Sequence, residues 1–262
     1  MAEDSNELIS ALGGSGFPMQ TAVAAAIRSL RFYEVQEEIA WRDSDGSDKF
    51  LDMVAVGAGV RVSIECKKTA QDKFIFLLPE VDEIQQRQPT LRGVYLYQIQ
   101  DSAPRGSVAW GRISTLPTTY DSMYCVTKTS GPNRLLEANA QALVRGTEAY
   151  AADRCKRFRP QGAESKSVPC IPVLITNAPL FVARYRPDDV SLESGIYQAR
   201  GEHLTAEQVV RFTKQFTTSP DIETRERTVL VAHTSAINEL FRSLASASVE
   251  DTRPAKFIFS GL

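Results

Sequence analysis

Apolar and polar residues alternate most clearly between residues 49 and 69. Along residues 60–66 the valine, isoleucine and cysteine side chains fall on one side and the polar side chains on the other, which is typical of a strand with one buried face. Residues 50–56 are apolar except for Asp52, which predicts a second, more deeply buried strand. The Gly-Ala-Gly sequence at 57–59 tolerates the backbone angles of a tight turn, so the segment is predicted to be a β-hairpin.

The register of this hairpin decides which side chain lies beside Asp52. If residues 58–59 form a two-residue turn, Asp52 lies directly opposite Glu65. If residues 57–58 form the turn, Glu65 becomes the diagonal neighbour of Asp52. Both registers keep the two carboxylates on one face with their Cβ atoms about 5 to 8 Å apart. Lys67 follows on the same face, whereas a three-residue turn would separate the acids onto opposite faces.

Two interpretations account for these polar residues. Two carboxylates this close repel each other unless a cation lies between them, and oxygen ligands suit a hard divalent ion such as Mg²⁺. Lys67 would then orient an attacking water, help to deprotonate it, or stabilise a developing negative charge. In the structural alternative, Glu65 forms a salt bridge with Lys67 or Arg61, and Asp52 accepts a hydrogen bond from a backbone N–H.

The residue pattern also resembles a known motif. Asp52, followed after twelve residues by Glu65-Cys66-Lys67, is similar to the motif of the PD-(D/E)xK nuclease superfamily, which includes many restriction enzymes and junction resolvases. The helix, three strands, helix and further strand expected of that core are predicted in that order over about residues 17–177. The resemblance implies that Asp52 and Glu65 bind Mg²⁺ or Mn²⁺, that the carbonyl of Cys66 is a further ligand, and that Lys67 orients the attacking water.

The chain departs from the family pattern in two ways. Leu51 takes the place of the proline in the motif's name. Many members carry a glutamate on the first helix as an extra metal ligand, and here the predicted helix at 19–31 has none, with Gln20 as the nearest substitute. A glutamate of the first predicted strand would be able to replace it, or would be exposed edge charge. The candidates are Glu34, Glu37 and Glu38, of which Glu37 is taken as an accessory site residue.

The fold class expected from these patterns is α/β, with a restriction-endonuclease-like core, a mixed central sheet flanked by helices, an insertion and a C-terminal extension. Residues 1–180 are assigned to the core, with the insertion at about 70–130, and residues 181–262 to an extension or a small second domain. Helices are predicted at 19–31, 132–152, 205–216 and 235–244, strands at 32–42, 171–175, 180–185 and 228–232, and a loop at 116–119. Pro172 is expected at the start of its strand.

Composition places the chain among ordinary globular proteins. It has 262 residues, of which 43% are hydrophobic and 24% charged. No apolar run approaches the length of a membrane span and no signal peptide is recognisable, so a cytoplasmic protein without membrane contact is expected. The four cysteines lack a C-x-x-C pair and there are only two histidines, which disfavours a zinc site or a disulfide framework.

Charge limits the nature of any nucleic-acid contact. A net charge of −2 argues against a protein that coats nucleic acid, so DNA contacts would have to come from local clusters. Residues 154–168 hold five basic side chains and one acidic one. Lys68, Arg157 and Arg159 are the candidate DNA contacts, and an ordinary solvated loop is the alternative for residues 154–168.

The function predicted from the sequence is that of a metal-dependent nuclease that hydrolyses phosphodiester bonds in DNA. The alternative is a catalytically inactive module that binds nucleic acid or a protein partner. DNA is the expected partner, and a homodimer is left open.

Overall fold

The computed structural model describes residues 15–43, 45–57, 59–69, 73–80, 87–99, 105–127, 135–155, 157, 167–191, 193–194, 196, 204–216 and 225–250. Of these residues, 57% are in strands and 26% in helices. The α-helices are α1 (Phe17–Ser29), α2 (Leu135–Cys155) and α3 (Ile237–Leu244). None of them combines the length and the apolar character needed to cross a membrane.

The strands are β1 (Tyr33–Arg42), β2 (Asp48–Gly57), β3 (Arg61–Lys67), β4 (Phe74–Pro79), β5 (Arg87–Ile99), β6 (Arg105–Ser122), β7 (Tyr124–Thr127), β8 (Ser167–Thr176), β9 (Leu180–Tyr185), β10 (Leu204–Glu207), β11 (Val209–Phe216), β12 (Arg225–His233) and β13 (Ser248–Val249). Nine of them form one sheet in the order β1-β2-β3-β8-β12-β11-β6-β13, with β5 paired to both β6 and β8. Strands β8, β12, β11, β6 and β5 therefore close into a five-stranded barrel. The other four form a second sheet, β10-β9-β4-β7.

This architecture overturns the predicted fold class. The protein is mostly β with a closed barrel and three described α-helices, and it is not an α/β restriction-endonuclease-like sandwich with a central sheet flanked by helices. Strands β1 to β3 are antiparallel neighbours, and β8 lies parallel to β3. Beyond β8, however, the sheet curls and closes through β5 and β6, which lie in the region predicted to be an insertion.

The helix predicted at 205–216 is wrong, because this segment forms β10 and β11. Val210 and Phe212 are buried in a core shared with α2, whereas Arg211 and Thr213, at the alternate positions, are also buried. Burial on both faces hides the period of two that would distinguish a strand from a helix.

The loop predicted at 116–119 is also wrong, because these residues lie within the eighteen-residue strand β6. Thr90 of β5 pairs with Ser114, whereas Gln88 pairs with Thr119, so β6 has several extra residues at this point of the ladder. An irregularity of this kind accommodates the proline of the segment, since no regular ladder hydrogen bond is required there.

Pro172 lies in the middle of β8 and not at its start. On one side β8 pairs with β3 from Cys170 to Thr176. On the other it pairs with β5 as far as Cys170 and with β12 from Val173 onward. The proline therefore occupies the point at which β8 changes neighbour.

The strand at 180–185 exists, but the prediction that it lies beside 171–175 is wrong, since β9 pairs with β4 and β10 in the second sheet.

The two faces of the large sheet carry different cores. The face covered by α1 and α3, called the α1 face, buries Ile27 of α1, Phe241 of α3, and Met53 and Cys66 of the hairpin. The face covered by α2 and the second sheet, called the α2 face, buries residues that include Val54, Leu143, Leu174 and Val182. The hairpin lies between these layers, and its side chains alternate between the two faces from Met53 onward, whereas Leu51 packs on the α2 face.

Candidate functional site

The hairpin adopts one of the two registers that bring the acids together. Val56 pairs with Arg61 and Met53 with Ile64, and the backbone N–H of Gly57 donates to the carbonyl of Val60 over 3.0 Å. Gly57 and Val60 are therefore the last residues to pair before the chain turns. Continued by one position, this register places Asp52 directly opposite Glu65, as the sequence predicted for that turn.

The alternation of β3 assigns Glu65 and Lys67 to the α2 face. Val62, Ile64 and Cys66 are all buried in the core of the α1 face, so the residues between them point to the other side. Lys67 and Glu65 retain 36% and 18% of their side-chain exposure, which leaves the pair accessible from solvent. Asp52 is half-buried, and its negative charge acts on Glu65.

Asp52 has a backbone partner. The N–H of Cys66 donates to Oδ2 of Asp52 over 2.6 Å. In an extended strand the N–H and C=O of one residue point towards the same neighbouring strand, so the carbonyl of Cys66 also points towards β2. One carboxylate oxygen of Asp52 and the carbonyl oxygen of Cys66 thus lie on the same side of β3.

The carboxylate of Glu65 is attracted by one neighbouring charge and repelled by another. Nζ of Lys67 lies 2.7 Å from Oε1 of Glu65. Burial raises the pKa of Glu65, the negative charge of Asp52 raises it further, and the contact with Lys67 opposes both effects. The repulsion follows from the register, because the two carboxylates face each other across the hairpin.

These donors suit a hard divalent cation. Asp52 and Glu65 offer two carboxylates that repel each other, with the carbonyl of Cys66 beside them, and Mg²⁺ in proteins typically binds one or two carboxylates and completes its shell with water and phosphate oxygens. Within the described part of the chain, no group of three or more His, Cys, Asp or Glu side chains is arranged to hold a metal.

The accessory residues predicted beside Asp52 lie elsewhere. Glu37 is opposite Met53 on the α1 face and forms an ion pair with Arg28. Gln20 belongs to α1, which packs on that same face. The pairings on either side of Glu38 place this residue opposite Asp52 instead.

Glu38 has an unusual backbone conformation. Its φ of +51° is in the left-handed region, which is uncommon for a residue other than glycine. Such strain costs about 1 to 3 kcal/mol and clusters at functional sites. Glu38 is one of the three candidate glutamates of the first predicted strand. Its position opposite Asp52 depends on how β1 pairs with β2.

The predicted DNA contacts are not brought together. Lys68 is exposed immediately after β3, beside the carboxyl end of β8, because Lys67 pairs with Thr176. Arg157 is exposed just beyond α2, whose last residue packs near Val168 at the amino end of β8. Eight residues of strand separate the two ends of β8, or about 26 Å. Arg159 lies outside the described residues.

The carboxyl ends of three parallel strands extend the site. Lys67 pairs with Thr176 of β8, and Thr176 pairs with His233 of β12. Nδ1 of His233 lies 2.7 Å from Oγ of Ser235. The side chain of Asn177 is hydrogen-bonded to both the N–H and the carbonyl of Thr69, which anchors the chain that follows Lys67. From the sequence, His233 is predicted to be structural. Thr176 and Asn177 are not identified as site residues, because their proximity to Lys67 results from the parallel pairing.

Comparison with known proteins adds no family assignment to this geometry: no protein-family model, curated protein or solved structure matches the chain. The functional interpretation therefore depends on the residues and contacts described above.

Proposed function

We propose that the chain is a metal-dependent nuclease that hydrolyses phosphodiester bonds in DNA at Asp52, Glu65 and Lys67. The observation that carries this proposal is the placement of two facing carboxylates and a lysine on one accessible strand face. The resemblance of Asp52 and Glu65-Cys66-Lys67 to the PD-(D/E)xK motif supports the same chemistry, although the fold differs from the one expected.

The residues have distinct roles in this proposal. Asp52, Glu65 and the carbonyl of Cys66 would hold Mg²⁺ or Mn²⁺. A bound metal polarises the phosphate and lowers the pKa of a bound water. Lys67 is restrained by Glu65 and presents its remaining ammonium hydrogens to an attacking water or to the charge that develops on the phosphate oxygens.

A binding module without catalytic activity is the second candidate. The hydrogen bond from Cys66 to Asp52 and the ion pair of Glu65 with Lys67 give every charged side chain of the hairpin site a protein partner without a metal. Such a module would bind nucleic acid or a protein partner through the same face and would show no dependence on divalent ions.

Cleavage of supercoiled and linear DNA by the wild-type protein and Lys67→Ala, each with Mg²⁺, Mn²⁺ or EDTA, tests catalysis. We expect metal-dependent cutting by the wild type and a decrease of about 100-fold or more in the variant, the usual scale for losing one charge-stabilising group. Lys49→Ala, at an exposed position of β2, is the matched control and retains activity. Equal cutting by Lys67→Ala, or none by the wild type in any metal, would overturn the catalytic proposal.

Metal binding by Asp52→Asn separates the two candidate functions. Asparagine removes the charge but keeps an oxygen that accepts the hydrogen bond from Cys66, so the hairpin retains its geometry. We expect Mn²⁺ binding, followed by electron paramagnetic resonance, to weaken by about tenfold or more in this variant. Identical Mn²⁺ titrations of wild type and variant would favour the binding module.

A further inference from the structure

A cavity of about 350 Å³ lies between strands β6, β11 and β12 of the barrel and helix α3. Its polar lining includes Thr115, Thr119, Gln208 and Arg211, and Leu240 and Leu244 of α3 form part of its apolar wall. Its volume is in the range of about 300 to 1,000 Å³ that small-molecule sites occupy. The lining does not include Asp52, Glu65 or Lys67, so this cavity is separate from the hairpin site.

Arg211 is the most unusual residue of the lining. Its side chain is completely buried, with a relative exposure of 0%. Nη1 donates to the carbonyl of Thr119 over 3.2 Å, Nη2 donates to Oγ1 of Thr115 over 2.7 Å, and Nε has no hydrogen-bond partner among the described residues. A guanidinium has five N–H donors, so two are used within the described part of the chain and three remain.

The charge of Arg211 is incompletely balanced by the protein. Asp121 lies opposite it in the parallel ladder and attracts it, but Asp121 is hydrogen-bonded to Thr213, and no ion pair joins it to Arg211 among the described contacts. Burial lowers the pKa of Arg211 to about 10. A buried cation is costly unless it is paired and hydrogen-bonded, so an anion beside the guanidinium would add a favourable interaction.

The remaining charges of the lining are compatible with an anion near Arg211. Glu207 already faces Arg87, whose guanidinium lies 3.8 Å from its carboxylate. Glu239 is exposed on the first turn of α3, at the solvent side. The hydroxyl of Thr115 contacts the guanidinium, and the amide of Gln208 is a further neutral polar group of the lining.

We propose that this cavity binds a small molecule through an oxyanion, a phosphate or carboxylate group that receives hydrogen bonds from the guanidinium of Arg211. Side-by-side guanidinium donors match the spacing of two oxygens in such groups. The apolar wall from α3 would contact the rest of the ligand. This site is independent of the proposed nuclease function, because its ligand is recognised by different residues.

Calorimetric titration of the full chain with inorganic phosphate, and separately with acetate, tests the proposal at constant ionic strength maintained with chloride. We expect saturable binding of at least one of the two, and the preferred anion identifies the source of the oxyanion. Arg211→Gln is expected to weaken that binding by about tenfold or more, the loss typical of a charge-assisted hydrogen bond. Arg242→Gln, at an exposed position of α3 outside this lining, is the control and binds like the wild type.

A second variant keeps the test decisive if Arg211→Gln does not fold. Thr115→Val removes the hydroxyl that positions Nη2 and leaves the charge in place, so binding is expected to weaken several-fold. The absence of saturable binding of both anions by the wild type would overturn the proposal and leave a cavity that holds only water. Wild-type affinity in both folded variants would overturn it as well, because the anion would then be bound elsewhere.

Discussion

At the scale of single residues, the position of Glu65 lowers the stability of the metal-free protein and also suits metal binding. Its carboxylate is largely buried and faces Asp52 across the hairpin, and both conditions disfavour its charged form. The contact with Lys67 compensates only in part, since the pKa of Glu65 remains raised. A divalent cation between the carboxylates would remove this cost, which is why the same arrangement suits metal binding.

We expect Glu65→Gln to stabilise the metal-free protein at neutral pH. A glutamate whose pKa is raised in the folded state contributes stability that is complete below its unfolded pKa, near 4.5, and that is lost as the pH rises through the folded value. The free energy of unfolding of the wild type should therefore fall relative to that of the variant as the pH rises. Urea unfolding in EDTA between about pH 4 and pH 8 measures this difference.

The control for this prediction is Glu34→Gln, at an exposed position of β1. Its unfolding free energy should follow that of the wild type across the same pH range. A Glu65→Gln protein that is less stable than the wild type at pH 8 would contradict the prediction, since it would mean that the ion pair with Lys67 outweighs burial and repulsion.

The position of a residue can be predicted from the sequence where it depends only on residues nearby in the chain. The shared face of Asp52, Glu65 and Lys67 follows from a period of two and a short turn, both of which are visible in the sequence. The positions of Glu37 and Arg157 relative to Asp52 depend on which face a helix covers and which end of β8 it reaches. No pattern within a single segment contains that information.

At the scale of elements, α2 is positioned by a close approach at Gly146. A Cβ at this residue would lie 2.7 Å from Cδ2 of Leu51 and 3.0 Å from Nε1 of Trp41. The neighbouring Arg145 lies 3.5 Å from the carboxylate of Asp43. The glycine that weakens the helical pattern in the sequence is therefore the residue that lets an unbroken helix pack against β1 and β2.

We expect Gly146→Ala to destabilise the protein even though alanine favours a helix by about 1 kcal/mol over glycine. The added methyl group would displace Leu51 and Trp41, and overpacking of this kind costs about 1 to 3 kcal/mol. Denaturant unfolding measures the change. Gly59→Ala is the matched control, because no atom of the other described residues that could clash lies within 4 Å of its added Cβ, and a change within about 0.5 kcal/mol is expected there. A higher free energy of unfolding for Gly146→Ala would contradict the prediction, because it would indicate that α2 does not need this close approach to Leu51 and Trp41.

Elements with one buried face or with a continuous apolar run could be predicted from the sequence, whereas a strand that buries polar residues among its apolar ones could not. Helices α1 and α3 and strands β1, β3 and β12 lie close to their predicted positions. The sequence of β11 does not predict a strand, because the polar Arg211 and Thr213 are as buried as Val210 and Phe212. The period of the hydrophobic pattern disappears when a polar residue is buried inside a barrel.

At the scale of the whole molecule, barrel closure joins segments that are distant in the sequence. Strand β5 pairs with β6 on one side and with β8 on the other, where Leu96 is opposite Val168. Both side chains are buried in one cluster. Residues 70–130, predicted to be an insertion, thus supply two of the five barrel strands. Pairing across more than seventy residues leaves no local signal, which is why the sequence favoured an open sheet.

We therefore expect the hairpin and the barrel to unfold in one cooperative transition. Leu96→Asp buries a charge at the closing seam and should lower the free energy of unfolding by about 3 kcal/mol or more. Val126→Asp, at an exposed position of the edge strand β7, should change it by no more than about 1 kcal/mol.

The two tryptophans report on the two parts separately, because Trp41 is on β1 and Trp110 is on barrel strand β6. Urea unfolding is followed by fluorescence in Trp41→Phe and Trp110→Phe backgrounds, each with and without Leu96→Asp. A shared barrel and hairpin core predicts that both signals shift to lower urea together, since β3 and β12 flank the same strand, β8. If the Trp110 signal moved alone while the Trp41 signal kept its wild-type midpoint, the barrel would be a separable addition, and residues 70–130 would be an insertion in the thermodynamic sense.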